Sequence, residues 1–108
     1  MATSIDFIQF VCERLGTKYE ISYKKMFGEY MVYANCKPVL LVCDNTVYVK
    51  KLDALSELMK DAETGVPYGG AKEHYILDVE NDELTLAALD VLEAVTPLPK
   101  KKNKAQPR

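Results

Sequence analysis

The segment Gly65-Val66-Pro67-Tyr68-Gly69-Gly70-Ala71-Lys72-Glu73 carries the glycines and the lysine of a phosphate-cradling loop. Such a loop surrounds phosphate oxygens with backbone N–H groups. It needs a lysine directly after the last glycine and then a Ser or Thr for magnesium. Here Ala71 displaces the lysine, and Glu73 sets a negative charge where a phosphate would sit. The stretch therefore reads first as a turn-rich connector. A small-ligand or nucleotide site using the Gly65–Lys72 loop, with Tyr68, Gly69, Gly70, Lys72 and His74, is the alternative expectation.

His74 is the single histidine, so a two-histidine zinc site is excluded. Cys12, Cys36 and Cys43 have no zinc-finger or disulfide-framework spacing, and a Cys-x6-Cys pair is not a metal signature. A Cys–His nucleophilic pair would need a third orienting group, and nothing local supplies one. Glu29, Asp44, Asp78 and Glu80 could be paired on paper as acid and base. In a chain with 16 acidic residues, however, solvated surface is the default for each. No catalytic residue, metal or cofactor is expected.

Aromatic residues stand out more. There are seven tyrosines, and a buried phenol needs a hydrogen-bond partner, so a small core has little use for that many. Tyr23, Lys24, Lys25, Tyr30, Tyr48, Lys50 and Lys51 interleave aromatics with bases across one stretch of the chain, and Lys25, Phe27, Tyr30, Tyr33, Tyr48 and Lys50 are the interaction candidates. Three readings stay open for them. They could be cross-strand partners on a half-exposed sheet face, a protein-binding face where tyrosine is enriched, or a platform on which single-stranded bases stack while lysines meet phosphates.

Charge bears on that choice. Five of the 14 basic residues lie within 100–108, so the net −2 of the whole chain becomes −7 over residues 1–99. An acidic body repels nucleic acid and anionic membranes on average. A nucleic-acid contact would have to come from a local patch or from the basic tail. A protein partner or a homodimer is the expected form of association.

The chain's 108 residues fit one domain, with 48% hydrophobic and 28% charged residues typical of a globule. No apolar run reaches the roughly 20 residues of a membrane span. The start, MATSIDFIQF, has no basic n-region and no cleavage signature. A cytoplasmic location with reduced thiols is expected. One domain over residues 1–99 and a basic tail over 100–108, disordered by composition, complete this division.

The elements that must position these residues follow from periodicity. Thr3 or Ser4 can cap a helix over 4–15 with an apolar stripe of Ile5, Ile8, Val11, Cys12 and Leu15, ended by Gly16. Residues 17–23 read as a connector. Three antiparallel strands follow between Lys24 and Lys51, with turns at Ala34–Lys37 and Asp44–Thr46 and a bulge or a close backbone approach at Gly28. Pro38 is expected at an edge or first-residue position, and Val39–Cys43 in the most buried strand. A short helix with Leu55, Leu58, Met59 and Ala62 inward, a strand over 73–79, and a last helix capped by Asn81 or Asp82 complete the order α-βββ-α-β-α. In the last helix Leu84, Ala87, Ala88, Val91, Leu92 and Val95 form the predicted stripe. The fold class is α+β: a two-layer domain whose antiparallel sheet carries helices on one face.

At Lys25-Met26-Phe27-Gly28-Glu29-Tyr30 the chain resembles the N-terminal domain of the TfoX/Sxy competence regulators and their stand-alone relatives. The similarity continues through Val39-Leu40-Leu41-Val42, Asp44-Asn45 and Val47-Tyr48-Val49-Lys50. It extends more loosely to Pro67-Tyr68 and Glu73-His74-Tyr75-Ile76. The resemblance implies a small cytoplasmic α+β domain that serves transcriptional or competence regulation through protein contacts, without established catalytic residues.

Overall fold

A computed structural model describes residues 3–26 and 29–98. Helix α1 spans Ile5–Leu15. The Ser4 side-chain oxygen accepts the Phe7 N–H at 3.1 Å, which satisfies one of the donors left open at a helix start. Gly16 closes the helix at φ 77°. Ile8, Val11 and Leu15 are buried, and each contributes roughly 1.5–3 kcal/mol by leaving water. Ile5, expected in the same stripe, is exposed, and Cys12 is half-buried. The helix begins at the rim of the sheet, where the Ser4 N–H donates to Asn45 Oδ1.

Six antiparallel strands form one open sheet in the order β1-β2-β3-β4-β6-β5. They are β1 (Ile21–Met26), β2 (Glu29–Ala34), β3 (Lys37–Cys43), β4 (Thr46–Lys50), β5 (Thr64–Gly65) and β6 (His74–Ile76). The expected meander of three strands is a meander of four. The expected connector holds half of an extra strand, and Met26 pairs with Glu29. The bulge or close backbone approach expected at Gly28 falls outside the described residues. An irregularity lies elsewhere: Val32 pairs with Leu40 but Tyr33 with Pro38, so Val39 is the extra residue.

Both expected hairpin turns are present. Asn35 and Cys36 have φ of 52° and 69°, and Asp44 and Asn45 have 52° and 56°. Two consecutive positive φ values match the twist of the flanking strands. Asn35 also uses its side chain, accepting the Glu20 N–H and donating to Glu93. Pro38 sits in a strand that has neighbours on both sides of the sheet. β4, however, pairs with β3 only from Leu41 to Cys43, so no ladder bond to β4 is lost at Pro38.

After β4 the expected short helix is a single 3₁₀ turn, Asp53–Leu55, followed by turns. Leu55 and Met59 are buried as the periodicity demands, while Leu58 is exposed. The expected strand over 73–79 is three residues long. Its continuation, Leu77 and Val79, is still buried.

Helix α2 spans Asp82–Val95, and Asn81 Oδ1 accepts the Leu84 N–H. Its buried line is Thr85, Ala88, Leu89 and Leu92, rotated from the predicted stripe. Leu84, Ala87 and Val91 flank it half-buried, and Val95 is exposed. The buried Thr85 breaks the apolar pattern without an unsatisfied hydroxyl, since its Oγ1 donates to Asp78 O.

Both helices and the 3₁₀ turn pack on one face of the sheet. Ile8, Val11, Leu15, Leu55, Met59, Leu89 and Leu92 share one cluster with Val32, Leu40, Val42, Val47 and Val49. Arg14 ties the helices together: Nε donates to Val79 O, and Nη2 lies 2.6 Å from Asp82 Oδ1. The architecture is the expected two-layer α+β domain. No helix among the described residues is long and apolar enough to cross a membrane.

Candidate interaction surface

Because side chains alternate along a strand, the residues between the core positions belong to the second sheet face. Register shows how they line up. Lys24 pairs with Met31, Met31 with Leu41, Leu41 with Tyr48, and Tyr48 with Ile76. These five positions form one continuous row across five neighbouring strands. Tyr33 stands beside the row on β2, and Lys50 and His74 stand beside it as a pair. Met31, Tyr33, Leu41, Tyr48 and Ile76 are all half-buried, and none belongs to the helix-side core.

Tyr48 is the best-fixed side chain of this face. Its ring meets the His74 ring edge-on, with centroids 6.3 Å apart. A Cβ placed on Gly65 would lie 3.4 Å from the Tyr48 ring and 3.3 Å from Ile76 Cδ1, so Gly65 lets the ring lie close over β5. His74 Nδ1 lies 2.8 Å from Lys72 O. A carbonyl only accepts, so Nδ1 carries the hydrogen and Nε2 of the neutral ring is the acceptor.

The face is polarised. Lys24 and Lys50 are exposed, and neither is ion-paired among the described residues. The one acid on these strand positions is Glu29, whose Oε1 accepts from Thr3 Oγ1 at 2.8 Å and from the Asp44 N–H at 2.9 Å. The acids of α2 face bases instead. Lys37 lies 3.2 Å from Glu93, and Lys18 lies 3.0 Å from Asp90. Hydrogen bonds from Lys37 and Asn35 hold the Glu93 carboxyl below its usual pKa. Tyr19 and Lys18 do the same for Asp90.

The residues singled out from sequence are distributed over both faces. Tyr33, Tyr48 and Lys50 share the helix-free face. Lys25 and Tyr30 pair with each other on the helix side; Lys25 is exposed, and Tyr30 is buried edge-on against Tyr23 with centroids 5.5 Å apart. The cause is parity: positions 30 and 33 lie on opposite sides of one strand. Phe27 lies outside the described residues, as does the 100–108 tail.

The loop candidates Tyr68, Gly69, Gly70 and Lys72 are exposed, and Gly70 has φ 88°. His74 keeps a backbone contact to Lys72, but its ring lies on the sheet face against Tyr48. Two cavities stand out, and neither includes a residue of the Gly65–Lys72 loop. One, of about 260 Å³, is bounded by Leu15, Tyr19, Leu86 and Asp90. The other, of about 750 Å³, is a groove between α1 and β1. Among the described residues no group of three or more His, Cys, Asp or Glu side chains could hold a metal ion.

Reading the sequence missed Met31, Leu41 and Ile76. Met31 had a signal, since it alternates with Tyr30 and Val32. Leu41 had none, because the run Val39–Cys43 is apolar throughout and does not reveal which residues face the helices.

No family model matches the chain. It is 36% identical over 102 residues to an uncharacterized 12.7 kDa protein in the trpE 5′ region of Spirochaeta aurantia, covering 93% of this chain and 89% of that protein. The chain belongs to the same family as that spirochaete protein.

Proposed function

We propose that the chain is a non-enzymatic interaction module, similar to the N-terminal domain of TfoX-type competence regulators, whose helix-free sheet face binds a partner protein. One observation carries the reading: the row Met31–Leu41–Tyr48–Ile76 is apolar, continuous and unmatched by any helix among the described residues. Apolar positions at the centre of a patch with polar positions at its rim follow the anatomy of protein interfaces. Lys24 at one end and Lys50 near the other, with Glu29 already engaged, favour a partner whose surface is apolar and acidic. The same lysines disfavour a second copy stacked on this face, and a net −7 over residues 1–99 disfavours a polyanion.

The test is a photo-crosslinking side chain at position 48, with position 60 on the exposed helix side as control. A protein adduct specific to position 48, lost when Leu41→Ser is added, supports the reading. Equal labelling from both positions overturns it, and so does an adduct consisting of two copies of this chain.

A further inference from the structure

We infer that the outer edge of β1 is a second docking site, which takes an extended acidic-apolar peptide segment as an added strand. The inference rests on the interaction-module reading but uses the sheet edge, which borders the helix-free face and shares only Lys24 with its row. Strand β1 is the terminal strand of the sheet and pairs only with β2. Glu20 O accepts the Asn35 N–H, which sets the phase of the ladder. By the alternation of antiparallel pairs, Ser22, Lys24 and Met26 bond inward, and Ile21, Tyr23 and Lys25 turn their N–H and C=O groups outward. A six-residue edge with three such residues is a template for another strand.

The groove of about 750 Å³ runs along this edge, with Gln9, Cys12 and Glu13 of α1 on one wall and Ile21, Ser22 and Tyr23 of β1 on the other. Ile21 and Tyr23 are outward-bonding residues that also line the groove, and the inward-bonding Ser22 between them completes that wall. In an added strand, residues opposite them would turn their side chains to the same face and enter the groove between β1 and α1. Backbone pairing would supply affinity and the groove would select alternate apolar side chains.

Charge defines the rest of the ligand. Lys24 and Lys25 are exposed and not ion-paired among the described residues, so the peptide end beside them is acidic. The recognised pattern is two apolar residues in alternate positions, followed on the Lys25 side by an acid. A second copy fits less well. Antiparallel pairing of β1 with itself, with faces kept, must centre on a single residue. Centring on Lys24 sets lysine against lysine, and every centre gathers the four lysines of two copies in one two-stranded ribbon.

The experiment selects a displayed library of random decapeptides on the full chain. The enriched peptide is then titrated against wild type, Tyr23→Pro and the double variant Leu41→Ser/Tyr48→Ser. Proline at 23 removes an outward N–H without touching the β2 ladder. The expected result is an alternating apolar consensus with an acid at one end. Tyr23→Pro should weaken it by at least about tenfold, with the double variant little changed. Amide exchange should slow at Ile21, Tyr23 and Lys25 on peptide addition, while Ser22 and Lys24 are already protected. If Tyr23→Pro does not fold, Lys25→Glu, on the other side of the strand from the helix-free row, serves in its place and should weaken the same peptide. No enriched peptide, or one insensitive to the edge variants, overturns the edge site. Loss of binding only in the double variant also overturns it but leaves the sheet-face reading standing. A dimer of the native chain that Tyr23→Pro dissolves assigns the edge to a second copy and overturns the peptide proposal.

Discussion

Tyr48 and His74 meet edge to face on neighbouring strands, their ring planes at 90° and their centroids 6.3 Å apart. The contact joins a residue of the central meander to the strand that follows the glycine-rich loop. It turns two separate candidates from the sequence into one surface, while Nδ1 of His74 stays bonded to Lys72 O of the loop.

The two sheet faces should respond differently to truncation. Leu89→Ala removes a side chain that is 2% exposed and sits in the core, and should cost about 3 kcal/mol. Leu41→Ser on the helix-free face should cost about 1 kcal/mol, because that side chain is only half-buried. Urea unfolding of both variants separates them. Equal losses would mean that the second face is also covered in the native chain.

Backbone conformation predicts a penalty at Gly16. Its φ of 77° with ψ of −157° is a region that side-chain-bearing residues rarely enter, although no atom lies within 4 Å of where a Cβ would sit. Gly16→Ala should therefore destabilise by about 1–3 kcal/mol through strain alone. Thermal unfolding would show it, and a neutral result would mean that the helix end readjusts.

Acid sensitivity follows from Asp90 and Glu93. Both carboxyls are held below their usual pKa, by Tyr19 and Lys18 and by Lys37 and Asn35 respectively. A depressed carboxyl binds more protons unfolded than folded. Its contribution is therefore complete above the unfolded value and is lost as pH falls through the folded one. Stability should decline from about pH 5 toward pH 3, and Asp90→Asn/Glu93→Gln should flatten that decline. Melting temperature against pH reads it directly. An unchanged slope would assign acid loss to other groups.

The three thiols should react in a set order. Cys36 is exposed in a hairpin turn, Cys12 is half-buried, and Cys43 is buried. Burial, with the charges of Glu29 and Asp44, pushes the Cys43 thiol up to about 11. Since the thiolate is the nucleophile, iodoacetamide at about pH 8 should label Cys36 first and Cys43 last. Early labelling of Cys43 would mean that its strand opens readily.

Local chemistry written in adjacent residues was legible from the sequence. Ser4 caps a helix because a hydroxyl three residues upstream meets an orphan amide. Asn35–Cys36 and Asp44–Asn45 turn because two-residue hairpins need positive φ. Val47 and Val49 face the core because they alternate with Tyr48 and Lys50. Those features imply the two-layer α+β class. Tertiary pairing decided the rest. Tyr30 went to the core and Tyr33 to the other face by strand parity, and α2 rotated to bury Thr85 and Leu89 against neighbours that no local pattern names. Leu41, inside an unbroken apolar run, took its place between Met31 and Tyr48 only when register aligned three strands. A surface assembled across strands depends on pairing between distant segments, and one-dimensional periodicity records only the face within each.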